Sequence, residues 1–64
     1  MMNSIPLKYL FNSKDLNTLT GLIKKNNFKD LRIFLNSEDV SKNLEDKGVL
    51  PDYLYYFLEY KFQK

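Results

Sequence analysis

Apolar residues recur with a helical period over much of the chain. Leu16, Leu19, Leu22 and Ile23 stand at offsets 0, 3, 6 and 7. That spacing puts them on one stripe of a helix with about 3.6 residues per turn. The same offsets return twelve residues later in Phe28, Leu31, Phe34 and Leu35, with Ile33 widening the stripe. Asn26-Asn27 separates the two runs. Two short helices joined by a tight polar turn are therefore expected, an αα-hairpin. Ser13 or Asp15 is expected to cap the first and Asn27 the second. Lys24 and Lys25 load the last turn of the first, where the helix dipole favours cations.

Weaker patterns flank this pair. Upstream, Ser4 is placed to cap a short helix with Pro6 in its first turn. Ile5, Leu7, Leu10 and Phe11 supply its apolar side, and Asn12-Ser13 breaks it. Downstream, a helix is expected from about Glu38 to Lys47, capped by Ser37 and stopped by Gly48. Glu38 and Asp39 favour its start. Only Val40 and Leu44 are apolar there, so one narrow edge is expected inside and the rest in water.

The last segment is different. Pro51 suits a first helical position and Asp52 the positive end of a helix dipole. From Tyr53 to Phe62, eight of ten residues are apolar or aromatic. On a helix, Leu54, Phe57 and Leu58 form one stripe, with Tyr53, Tyr56 and Tyr60 beside it. The run is also rich in strand formers, and Leu58-Glu59-Tyr60-Lys61-Phe62 alternates with period two. Helix is favoured because Pro-Asp is a helix entry and because Leu31 to Leu35, the one candidate partner strand, carries the helical pattern. The expectation is one all-α domain over residues 1–64, a small bundle of three to four short helices.

Composition narrows the chemistry. The 64 residues contain no His, no Cys and no Trp. The usual base of a nucleophilic triad and the usual thiol nucleophile are missing, as are the His and Cys ligands of zinc staples. Asp39, Ser41, Asn43 and Glu45 alternate as in a calcium loop, but Leu44 and Leu50 occupy the places that need Gly and Glu. Two glycines in unrelated contexts, Gly21 and Gly48, build no phosphate cradle. The carboxylate pairs Glu38-Asp39 and Glu45-Asp46 read as helix-start charge and a solvated face. No catalytic residue, cofactor or metal site is expected, and the chain is not expected to be an enzyme.

The longest unbroken apolar run, Tyr53 to Leu58, is six residues, against about 20 for a spanning helix. The start lacks a charged region before a long apolar stretch, so no signal peptide is expected. The expected location is cytoplasmic.

Two surfaces remain as candidates. Six of the ten aromatic residues lie between Tyr53 and Phe62, and a helix in so short a chain cannot bury apolar groups all round. Tyr is enriched at interfaces because its ring buries area while its hydroxyl stays satisfied. Tyr53, Tyr55, Tyr56, Tyr60 and Phe62 are therefore the expected contact for another protein or a second copy of the chain, the alternative for this helix being that it is central and wrapped by the others. The role would be that of an adaptor, an inhibitor or a small subunit. The alternative is nucleic-acid binding through Lys24, Lys25, Lys29 and Arg32, which gather about the Asn-Asn turn. Against it, the net charge is only +2, Asp30 lies within the cluster, and Arg, the usual reader of bases, occurs once.

Two partial resemblances point the same way. Phe28-Lys29-Asp30-Leu31-Arg32-Ile33-Phe34-Leu35, Asp39-Val40 and Gly48-Val49-Leu50-Pro51 resemble parts of an ankyrin repeat, with spacings off by a residue in two places. Leu50-Pro51 followed by Leu54, Leu58 and Glu59-Tyr60-Lys61-Phe62-Gln63 is similar to the end of a SOCS box, whose upstream Leu-and-Cys motif has no counterpart here. Each covers less than half the chain, and each implies protein–protein binding.

Overall fold

The computed structural model describes residues 7–63. Five helices follow one another: α1 (Leu7–Leu10), α2 (Ser13–Lys24), α3 (Phe28–Leu35), α4 (Glu38–Asp46) and α5 (Pro51–Phe62). No strand occurs among the described residues. The all-α expectation holds, and Tyr53 to Phe62 is helical throughout. The described residues hold five short helices against the three to four expected, and the short helix expected ahead of the longer ones is present as a single turn, α1. The expected cap at Ser4 lies outside the described residues, as do Ile5 and Pro6.

Local chemistry sets most helix ends. Asn12 caps α2, its side-chain oxygen accepting from the Asp15 amide at 2.8 Å. The cap thus falls one residue before Ser13, which is already helical. Asn12→Ala is expected to cost about 1 kcal/mol and Ser13→Ala far less, compared by urea midpoints.

Asn26 ends α2 in the left-handed region, at φ 57°. The Asn26 and Asn27 amides turn back onto the Ile23 and Leu22 carbonyls, both at 2.9 Å. Asn27 then opens α3 by accepting from the Asp30 amide at 3.3 Å. Gly48 does for α4 what Asn26 does for α2. At φ 79°, it and Val49 donate to the Glu45 and Leu44 carbonyls, both at 2.9 Å, and Val49 packs on the core. Left-handed backbone suits Gly and, among residues with a Cβ, Asn best.

Ser37 precedes α4 but does not cap it with its side chain. Its hydroxyl instead donates to the Phe34 carbonyl at 2.9 Å, an acceptor left over at the end of α3.

Helix α3 is the centre of the fold, packing against α2, α4 and α5. Leu19, Leu31, Leu35, Leu44 and Leu58 are fully enclosed around it. Val40 and Leu44 form the buried edge of α4, as their isolation in the sequence implied. Phe11 joins the core and stacks on Phe34, with ring centroids 6.3 Å apart. Ile33 does not widen the α3 stripe and is mostly exposed. It lies midway between Leu31 and Leu35, so at about 100° per residue it points away from both. Helix α4 also has a polar tie: the half-buried Asn43 donates to the Leu10 carbonyl at 2.8 Å and accepts from Lys47 at 2.7 Å.

Candidate functional site

Helix α5 carries the aromatic excess, and packing divides it. Leu54, Tyr55 and Leu58 turn inward. Tyr53, Tyr56 and Tyr60 stay 57%, 51% and 91% exposed on one side, and Phe62, near the end of α5, is partly exposed beside an apolar groove. Four of the five residues expected at a partner surface are thus on the outside.

Tyr55 is the exception, at 6% exposure, and it belongs to the core. It stands on the same half of the helix as Leu54 and Leu58, and the packing of α3 against α5 encloses it there. The Tyr55 hydroxyl stays satisfied there by donating to Glu59 Oε2 at 3.0 Å.

Burial raises the Tyr55 pKa, and the Glu59 hydrogen bond and charge add to the rise, while Arg32 opposes it. A folded pKa above the ordinary value of about 10 means the native state holds this proton more tightly than the unfolded chain. The stability it contributes is complete below about pH 10 and is lost as pH rises through the folded value. Urea midpoints taken from neutral to alkaline pH should fall above about pH 10, and Tyr55→Phe should shallow that fall.

Arg32 links the two candidate surfaces. It lies on α3, 24 residues before Tyr56 in sequence, yet its Nη2 donates to the Tyr56 hydroxyl at 3.1 Å. Its guanidinium carbon is 5.2 Å from the Tyr55 ring centroid and 5.4 Å from that of Tyr56. The two rings meet edge to face at 5.2 Å. A planar guanidinium stacks well on aromatic rings, and the attraction grows as water is excluded. One turn on, Asn36 donates to Asp52 Oδ1 at 3.3 Å. These bonds bind the side of α3 to α5, so the base of the tyrosine face is held in place.

The basic cluster is thereby divided. Lys24 and Lys25 close α2, Lys29 lies in the first turn of α3, and all three are exposed. Arg32 instead leans onto the tyrosines. The opposite flank of α5 borders an apolar groove, open to solvent, between α1, Gly48 to Leu50 and α5. Periodicity reveals neither Arg32's stacking nor the groove. The traces in the sequence are weak: a lone Arg among nine Lys, and Val49-Leu50 standing just ahead of Pro51.

Among the described residues no group of three or more acidic side chains is gathered to hold a metal ion, and no helix is long and apolar enough to cross a membrane. No family model, curated protein or solved structure matches the chain. Neither the ankyrin nor the SOCS-box resemblance gains support from those comparisons.

Proposed function

We propose that the chain is a non-catalytic protein–protein interaction module that docks another protein against the outer face of α5. Tyr53, Tyr56, Tyr60 and Phe62 supply the contact, with Arg32 at its edge. The observation that carries this reading is the exposure of three tyrosines on one side of a helix that turns Leu54, Tyr55 and Leu58 into the core. Exposed Tyr and an adjacent Arg are the residue types that dominate binding energy at protein interfaces. Arg32 is already held by two rings, so less side-chain freedom is lost on binding.

The simplest partner is a second copy of the chain. An adaptor, an inhibitor or a small subunit of a larger assembly fits the same surface. A cytoplasmic setting goes with this reading, since a fold that uses no disulfide does not need an oxidising compartment.

Sedimentation over a wide concentration range, with capture of partners from extract, tests it. Association or specific capture is expected. A chain that remains monomeric at high concentration and captures nothing overturns the reading. The nucleic-acid alternative keeps Lys24, Lys25 and Lys29 exposed but has its one Arg engaged by tyrosines. It predicts oligonucleotide affinity that falls steeply with salt, and a polarisation titration at two ionic strengths separates it from protein docking.

A further inference from the structure

The groove beside α5 is unlike the tyrosine face. At about 100° per residue, Phe57 and Lys61 fall on the flank of α5 opposite Tyr55 and Tyr56. With Leu7 and Leu10 of α1 and with Val49 and Leu50 before α5, they border a space of about 390 Å³. That volume lies within the range of small-molecule sites, which are mostly apolar with a few polar groups to orient the ligand.

Among the described residues the orienting charge is single. Lys61 is the only charged side chain among the described residues lining the groove. Its ammonium lies 5.7 Å from the Phe57 ring centroid and 5.8 Å from that of Phe62, against the aromatic wall. Apolar walls give water few partners, whereas an alkyl chain gains by leaving water. The ammonium then chooses among apolar occupants. It favours one that ends in an anion, is indifferent to a neutral end and repels a cation.

We infer that this groove binds a single-chain amphiphile with a carboxylate end, of the fatty-acid class, its alkyl chain along Leu7, Leu10, Val49 and Phe57 and its carboxylate at Lys61. The groove shares Tyr53 and Phe62 with the proposed protein-docking surface, but its charge and its reporter residues lie outside the Tyr56–Tyr60 face, so the two readings are tested separately.

The test uses the full chain and probes below their micelle-forming concentrations. Octanoate, decanoate and dodecanoate are titrated against dodecanol and dodecyltrimethylammonium, followed by amide NMR shifts. Shifts are expected at Gly48, Val49 and Leu50. Affinity should rise on the order of tenfold for each pair of added methylenes, and dodecanoate should bind several-fold tighter than dodecanol at low salt.

Lys61→Gln should remove the preference for the carboxylate while keeping the dependence on chain length. Leu50→Asp puts a carboxylate at the rim, at the N-cap position of α5 where Asp is well tolerated, and should weaken dodecanoate more than dodecanol. Equal binding of the cationic and anionic probes overturns the proposal. So do shifts confined to the Tyr56–Tyr60 face, and so does binding to anionic vesicles without binding of monomeric dodecanoate.

Discussion

Replacing Leu31 with Ala is expected to remove about 3 kcal/mol of stability and to lower the melting temperature by well over 10 °C. Leu31 is fully enclosed and sits in the one helix that packs against α2, α4 and α5. Truncation loses the transfer energy of the side chain and leaves a cavity that three facing helices cannot all close. At about 0.05–0.15 kcal/mol per residue, a chain of this length has only a few kcal/mol in hand, so the variant should be partly unfolded near body temperature. Thermal and urea unfolding followed by circular dichroism measure the effect. Leu50→Ala is the control, since Leu50 is mostly exposed and should move stability by under about 0.5 kcal/mol. If Leu31→Ala and Leu50→Ala melted together, α3 would not be the organising helix.

The second large effect is on association. Tyr56→Ala with Tyr60→Ala is expected to weaken partner binding on the order of a hundredfold or more, since interface tyrosines often contribute about 2 kcal/mol each. The same pair should change folding stability little. Tyr60 projects into solvent, and Tyr56 loses mainly its contact with Arg32, about 1 kcal/mol. Tyr56→Phe divides the contribution further: it keeps the ring under the guanidinium and removes the hydroxyl that accepts from Nη2. An intermediate loss of binding is expected. Sedimentation and partner capture read the association, and unfolding curves read the fold. Unchanged binding in the double variant would take the tyrosine face out of the proposed function.

The helix boundaries were largely legible because they depend on neighbours within five residues. Asn27, Gly48 and Pro51 act through backbone angles and hydrogen bonds to their own turns, and each stands where its chemistry predicts. The misplacements are of another kind. Ile33 and Tyr55 are apolar residues beside apolar residues, and hydrophobicity alone does not say which way they face. The difficulty is greatest on α5, where eight of ten residues from Tyr53 to Phe62 are apolar or aromatic and the periodic signal is therefore faint. Asn12 took the capping role from Ser13 because either side chain can accept from a first-turn amide, and only the onset of the helix chooses between them.

By itself, then, the sequence determined an all-helical chain, the approximate ends of its longer helices, and the absence of imidazole and thiol chemistry. These follow from local propensity, capping and composition. The tertiary structure alone decided that Tyr55 points inward while Tyr56 points outward. It also drew Arg32 off the lysine cluster onto the tyrosines and left a groove beside Lys61 on the far flank of α5. The reason is physical: each of these depends on the direction from which α1, α3 and α4 approach α5. Packing of residues distant in sequence sets that direction, and no pattern within a single helix encodes it.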